Sequence, residues 1–361
     1  MSHQALRIVD ANLNRASEGL RFLEDIARFL LSDAALSREL KTARHSLARE
    51  ARLLDMVLLS HRDSERDVGT ASELSSPSLQ GNLEGAQQGL PGLIAANAKR
   101  VEESLRVIAE LAKLPELSPL LDSSHFEQLR FKLYILERKL TSRVLRRDKI
   151  EQLTGLYVIL DRQALAGRDM LETAEQVIKG GARVLQLRDK LSSRGELLPL
   201  AQELKVLCIK AGILFIVNDY LDVALAVNAD GLHIGQKDLP LTTVRKILPI
   251  DKIVGLSVTT REQALKAERE GVDYIAVGSM FPTTGKEGAV LVGVETLRQV
   301  RKAVSVPLVA IGGINEDNVG QVMAGGASAV AVIGAVLSKE DVKEATRRMA
   351  AEIDRSKEDV Y

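Results

Sequence analysis

The 361-residue chain holds a single cysteine, Cys208, so no disulfide can close within it and a reducing, cytoplasmic setting fits. Cys208 lies in a helical pattern and reads as a small core residue. Net charge is lacking too: 49 Lys and Arg balance 49 Asp and Glu. That balance argues against a nucleic-acid surface or an anionic membrane as partner, and makes any local basic cluster purposeful. Apolar runs are short. The longest, Ala329 to Leu337, contains Gly334 and falls far below a bilayer span. The first residues do not follow the basic, apolar, small-residue order of a secretory leader. His233 has no second histidine at ligand spacing, and His3, His45, His61 and His125 show none either, so it reads as structural. No Ser-His or Cys-His arrangement suggests covalent catalysis. No Walker loop is present, because Gly285-Lys286 is followed by Glu287 and no glycine stands at the required position before it.

What is present is an ordinary globular composition, 45% hydrophobic and 27% charged, on a chain too long for one core and comfortable for two. The first 145 residues carry helical periodicity. Leu6, Val9, Leu13, Ala16, Leu20, Leu23, Ala27 and Leu30 recur at steps of three and four, one apolar seam along one helix. Further helices are expected over about Asp33–Ser60, Leu93–Leu114 (closed by Pro115) and Ser123–Leu145. Between the second and third lies His61 to Gly85, rich in Ser, Gly, Asp and Arg, a loop long enough to suggest function or disorder. The half also repeats itself: Ala11-Asn12-x-x-Arg15-x-x-Glu18-x-Leu20-Arg21 recurs as Ala96-Asn97-x-x-Arg100-x-x-Glu103-x-Leu105-Arg106. Two such helices could pack about a pseudo-twofold axis. The plain alternative is surface ion pairing at three-residue spacing; against it stands an asparagine, a poor mid-helix residue, kept in both copies.

From Arg143 to Gln152 the chain is charged and loses the apolar period, which places the domain boundary there: an all-helical domain over 1–145 and a second domain over 152–361. In the second, eight short apolar runs alternate with helical segments: Leu156–Leu160, Val184–Leu187, Leu214–Val217, Gly231–Ile234, Ile253–Val258, Tyr274–Val277, Leu308–Ile311 and Ala329–Ile333. Continuous apolar strands mean a parallel sheet buried on both faces. Eight of them predict an α/β (β/α)8 TIM barrel. A doubly wound open sheet is the alternative, but Asp161-Arg162 follows the first strand where such a sheet carries a glycine-rich turn.

In a barrel the strand ends gather at one mouth. Alternation puts Gln186, Arg188 and Lys190 on one side of the second strand. Asn218-Asp219 ends the third, Asp238 follows the fourth, Ser257 ends the fifth, and the sixth runs toward Thr283 and Lys286. Gly312-Gly313 and Ile333-Gly334 follow strands seven and eight, where barrels bind phosphate through backbone N–H groups. Cations beside two carboxylates suit a magnesium–diphosphate, because Mg²⁺ takes one or two carboxylates and completes its shell with water and phosphate oxygens. The mouth is expected to take one monophosphate and one diphosphate.

These segments closely resemble the thiamine-phosphate synthase family: Gln186–Lys190, Val217-Asn218-Asp219, Ala229–Gln236 with Asp238, Gly255-Leu256-Ser257, Pro282–Lys286 and Ile311–Ile314. The resemblance implies a transferase of thiamine biosynthesis that couples hydroxymethylpyrimidine diphosphate to a thiazole monophosphate and releases pyrophosphate. It implies Mg²⁺ on Asp219 and Asp238; Arg188, Lys190, Asn218, Ser257 and Lys286 on the diphosphate, with Arg188, Lys190, Ser257 and Lys286 as the catalytic set; Gln186 on the pyrimidine; and Thr283 with the backbone at Gly313, Ile333 and Gly334 on the thiazole phosphate. It also implies ionisation of the C–O bond before the new bond forms. Gly285 and Gly334 stand where many members carry hydroxyl residues, which removes two hydroxyls from the thiazole-phosphate side.

The N-terminal half resembles the helical hydroxymethylpyrimidine-phosphate kinase fused to some of these synthases. The repeat carries that resemblance, together with Arg62-Asp63 and Asp67-Val68-Gly69-Thr70. It implies ATP and Mg²⁺ as co-substrate and cofactor, and Asn12, Arg15, Glu18, Arg62, Asp63, Asp67, Asn97, Arg100 and Glu103 as the site. Two other readings stay open: a synthase with a noncatalytic dimerisation or regulatory module, and a thiazole-tautomerase-like barrel or binding protein. The sequence is compatible with a homo-oligomer.

Overall fold

The computed structural model describes residues 2–59, 89–283 and 290–358. The chain divides into two compact units, Met1–Leu145 and Arg146–Tyr361.

The first unit is helical. Helix α1 is Ser2–Asp25, α2 Ala34–Leu59, α3 Gly89–Leu111 and α4 Ser123–Glu151. The expected seam is buried: Leu6, Val9, Leu13, Ala16, Leu20, Leu23 and Ala27 join Ile94, Ala98, Val101, Leu105 and Ile108 of α3 in one core. Helices α1 and α3 approach closely at Gly19, where a Cβ would lie 2.5 Å from Val101 Cγ2 and 3.3 Å from the Asn97 carbonyl. Three expectations are corrected. The first helix does not run uniformly to Leu30. A five-residue π-helical turn, Ile26–Leu30, follows Asp25 and keeps Ala27 buried while Phe29 turns outward. Helix α3 starts earlier and stops at Leu111, so Lys113 and Leu114 lie in turns (Leu114 N donates to Leu111 O, 3.0 Å). Helix α4 does not end near Leu145. From Arg146 on, its last turns belong to the second unit and lose the apolar period because ion pairs hold them beside a single packed apolar residue, Ile150: the buried Arg146 meets Asp273 at 3.0 Å, and Lys149 donates to the Asp251 carbonyl at 2.7 Å.

In the second unit eight parallel strands close in sequence order, β1 through β8, with β8 paired to β1. They are β1 Gly155–Asp161, β2 Val184–Arg188, β3 Leu214–Asn218, β4 Gly231–Ile234, β5 Ile253–Val258, β6 Tyr274–Gly278, β7 Leu308–Ile311 and β8 Ala329–Val332. Each apolar run became a strand because both of its faces are dry. Tyr157, Ile159, Val184, Ile216, Ile253, Tyr274, Ala276 and Val309 fill the interior. The alternate residues, such as Val158, Leu185, Val217 and Leu232, pack outward under the helices.

Those helices are α5 Met170–Lys179, α6 Arg194–Ala211, α7 Leu221–Ala226, α8 Leu241–Ile247, α9 Arg261–Arg269, α10 Gly293–Ala303, α11 Val319–Ala324, α12 Gly334–Leu337 and α13 Val342–Glu358. Local chemistry sets several of their ends. Asp169 caps α5 through the Glu172 amide, Ser193 and Glu196 form a reciprocal capping box on α6, and Gly212 closes α6 at φ 67°. Cys208 is fully buried on α6, and burial pushes its thiol up to about 12, so it is an inert core group. Among the described residues no helix is long and apolar enough to cross a membrane.

Candidate active site

The strand ends of the barrel bring Lys190, Asp219 and Asp238 together. Asp219 is the first residue past β3 and holds a left-handed backbone at φ 62°, with its N–H on the His233 carbonyl at 2.9 Å. A non-glycine residue rarely adopts that conformation, so its neighbours fix this carboxylate in place. Asp238 is braced from the loop after β4, where Gly235 N–H donates to its Oδ2 at 2.7 Å. Lys190 Nζ stands 3.5 Å from Asp219 Oδ2. Burial raises the Asp219 carboxyl above its ordinary value, the facing Asp238 raises it further, and Lys190 opposes both. A carboxylate whose proton affinity is raised by burial and by a second carboxylate facing it makes a site that a divalent cation would relieve. Among the described residues no group of three or more His, Cys, Asp or Glu gathers as a metal cage. Two carboxylates beneath an open mouth fit Mg²⁺, which fills the rest of its shell with water and phosphate.

The other expected residues divide. Lys190 does not follow from strand alternation, because β2 ends at Arg188. Its position comes from a turn that Asp189 organises by accepting from Leu191 N (2.9 Å) and Ser192 N (3.0 Å). Burial works against charge on Asp189, but the hydrogen bonds from Ser192, Leu191 and Arg162 outweigh it and hold the carboxyl down to about 2. Arg188 pairs with Asp161 at the end of β1. Gln186 lies deeper, 2% exposed, and donates to Tyr157 Oη at 2.7 Å. Asn218 is buried at the end of β3, and Ser257, half-buried at the end of β5, stands 2.9 Å from His233 Nε2, which corrects the expectation of no Ser-His arrangement: strands β4 and β5 are neighbours, so residues 24 apart in sequence meet. Lys286 and Gly285 lie outside the described residues.

On the opposite side, Gly312 and Gly313 take positive φ of 101° and 64°. Both must be glycine because the loop after β6 crosses them. A Cβ on Gly312 would strike Ser279, and one on Gly313 would sit 2.5 Å from the Pro282 carbonyl. Thr283, exposed, follows directly on that loop. Beyond the Ile311–Ala331 rung, Ile333 and Gly334 open α12 beside them.

In the helical unit the two copies of the repeat match atom for atom at their asparagines. Asn12 Nδ2 donates to Ile8 O at 2.8 Å, and Asn97 Nδ2 donates to Leu93 O at 2.9 Å. Each amide thus satisfies its donor on its own helix. Arg15, Glu18, Arg100 and Glu103 are exposed; Arg100 leans on Asn97 Oδ1 (3.4 Å) and Glu103 on Lys99 (3.9 Å). A cleft in this unit is lined by Glu50, Lys113, Leu121 and Asp122, and holds none of the repeat residues. Arg62, Asp63 and Asp67 lie outside the described residues.

Residues 156–336 match the family model described as thiamine monophosphate synthase. The chain belongs to that family. Residues 7–139 match a second model, the ThiD2 family. A thiamine-phosphate synthase of Thermosynechococcus vestitus is 41% identical over 95% of this chain and 93% of its own length. One from Clostridium tetani is 48% identical over 54% of this chain and 93% of its own. Among solved structures, a thiamine phosphate pyrophosphorylase from Pyrococcus furiosus is 38% identical, with a TM-score of 0.54, over 58% of this chain and 98% of that one. Family membership places this chain in thiamine biosynthesis as a transferase.

Sequence reasoning missed the roles of Asp161, Arg162 and Asp189, which govern Arg188 at the end of β2 and Lys190 in the turn after it, and the tyrosines Tyr157 and Tyr274. A polar aromatic residue at an interior strand position was the available signal for the tyrosines.

Proposed function

We propose that the barrel joins 4-amino-2-methyl-5-hydroxymethylpyrimidine diphosphate to 4-methyl-5-(2-phosphoethyl)thiazole, giving thiamine phosphate and pyrophosphate. The observation that carries this reading is the facing pair Asp219 and Asp238 with Lys190 beside them. Asp219 and Asp238 would hold Mg²⁺, which when bound supplies positive charge to the diphosphate. Lys190, Arg188, Ser257 and Asn218, with Lys286, hold the diphosphate oxygens and stabilise charge as the C–O bond breaks. Fixed cations do this best because they need no reorganisation as charge develops. Arg188 arrives with Asp161 as a partner, so its guanidinium is held in one orientation before substrate binds. Gln186, fixed by Tyr157, presents its amide to the pyrimidine from below. Thr283 and the backbone at Gly313, Ile333 and Gly334 take the thiazole phosphate on the far side. The two substrates thus enter from opposite halves of the mouth, and the thiazole nitrogen bonds to the pyrimidine carbon after pyrophosphate has left. A tautomerase or a binding protein would have no use for the paired carboxylates.

The helical unit is read as the kinase that makes the diphosphate, phosphorylating the pyrimidine monophosphate with ATP and Mg²⁺. Asn12, Arg15, Glu18, Asn97, Arg100 and Glu103, with Arg62, Asp63 and Asp67, form its candidate site. The twin asparagines, each donating one amide N–H back to its own helix, also favour a second reading, a noncatalytic helical module. One experiment separates them. The full chain receives pyrimidine monophosphate, ATP, Mg²⁺ and thiazole phosphate, and thiamine phosphate is measured. Product from this mixture supports both activities. Product only when the diphosphate is supplied ready-made assigns the helical unit to the noncatalytic reading. No product in either case removes the synthase reading.

A further inference from the structure

A line of hydrogen-bonded side chains crosses the barrel interior beneath the mouth. Gln186 Nε2 donates to Tyr157 Oη (2.7 Å), Tyr157 Oη meets Tyr274 Oη (3.1 Å), Tyr274 Oη meets His233 Nδ1 (3.0 Å), and His233 Nε2 meets Ser257 Oγ (2.9 Å). These five residues come from β2, β1, β6, β4 and β5, so the line depends on the closed barrel. It also depends on one glycine. Tyr274 on β6 reaches His233 on β4 across the intervening Gly255 of β5, and any Cβ on Gly255 would collide with the Tyr274 ring. The ring then stacks on the imidazole at 5.6 Å between centroids.

The line has a direction. Each phenol carries one proton, and burial holds both tyrosines protonated far above their ordinary range. In the one order that leaves no phenol proton outside the line, the Gln186 amide donates to Tyr157, Tyr157 donates to Tyr274, and Tyr274 donates to His233 Nδ1. His233 then carries its proton on Nε2 and donates to Ser257 Oγ. The Ser257 hydroxyl, with its acceptor role filled from below, keeps its hydrogen for the mouth.

We infer that His233, set in its Nε2–H tautomer by Tyr274 and Tyr157, is a positioning residue that makes Ser257 a hydrogen-bond donor to the diphosphate. This rests on the synthase reading for the identity of the acceptor, though not for the tautomer.

The test uses the full chain with ¹⁵N-labelled histidine. The expected spectrum shows His233 as the Nε2–H tautomer without any substrate. Nδ1–H as its dominant form overturns the inference whatever the activity. In Tyr274→Phe the donor to Nδ1 is lost, and the Nε2–H preference is expected to weaken. The KM for the pyrimidine diphosphate is expected to rise roughly tenfold with a smaller change in kcat, the scale of one hydrogen bond to a charged acceptor. Tyr157→Phe keeps the ring and gives a milder version of the same shift if Tyr274→Phe does not fold. In the Ser257→Ala background Tyr274→Phe is expected to add almost nothing to KM. A full further loss there overturns the route through Ser257. An unchanged KM in Ser257→Ala alone, with the Nε2–H tautomer in place, overturns the donor role and leaves the synthase reading intact.

Discussion

In the barrel, candidate residues separated by tens of positions meet at one mouth: Lys190 stands 3.5 Å from Asp219, and Asp219 faces Asp238. In the helical unit, candidate residues close in sequence spread apart, with the asparagines turned back onto their own helices and the arginines exposed. The difference follows from geometry. A barrel points every strand end at one place, so chemistry can be read residue by residue down the chain. A helix distributes neighbours around its circumference, so Asn12, Arg15 and Glu18 share one pocket only if other segments complete it.

The largest expected effect lies in the barrel. Asp219→Ala lowers synthase turnover about 10²–10³-fold, and Lys190→Ala by about 10²-fold, the scale of removing a group that stabilises developing charge. Separate assays of the two half-reactions should show the ATP-dependent step intact. Unchanged synthase rates in both variants would dismiss the site. Next, Arg15→Ala and Arg100→Ala are expected to cut the ATP-dependent step by at least about tenfold, about 1.4 kcal/mol, while the synthase step is spared. Intact phosphorylation in both returns the repeat to scaffolding and widens the contrast between the units. A packing effect follows. Gly19→Ala drives a methyl into Val101, 2.5 Å from its Cγ2, and should cost about 1–3 kcal/mol in denaturant unfolding of the helical unit.

The smallest effect depends on pH. Burial, and then the facing Glu137, push Glu102 up to about 7 from 4.5. A folded pKa above the unfolded one means the unfolded state gives up its proton first, so stability falls as pH rises from about 4.5 through 7. Glu102→Gln should therefore stabilise the helical unit at pH 8 and not at pH 4. Because Glu102 is only partly buried, solvent screening limits the gain to about 1 kcal/mol. Denaturation at the two pH values checks this.

The barrel was largely legible in the sequence because its strands are dry on both faces. Gly231–Ile234, Ile253–Val258 and Leu308–Ile311 run where their apolar residues begin and end. Polar interior contacts leave no such trace. His233 looks like a lone histidine until Gly255 admits Tyr274 beside it. Lys190 was placed by alternation, yet a turn built by Asp189 holds it. The charged stretch from Arg143 to Gln152 was legible as the place where the units divide, but not as helix, because buried ion pairs and surface charge read alike in a sequence.

Direct binding of the pyrimidine diphosphate, measured by calorimetry with and without Mg²⁺, tests the facing carboxylates most closely. Binding by the unaltered chain should require Mg²⁺, and Asp219→Asn and Asp238→Asn should each weaken it by at least about tenfold, about 1.4 kcal/mol. Equal affinity with and without the metal, unchanged in both variants, would contradict the role assigned to that pair.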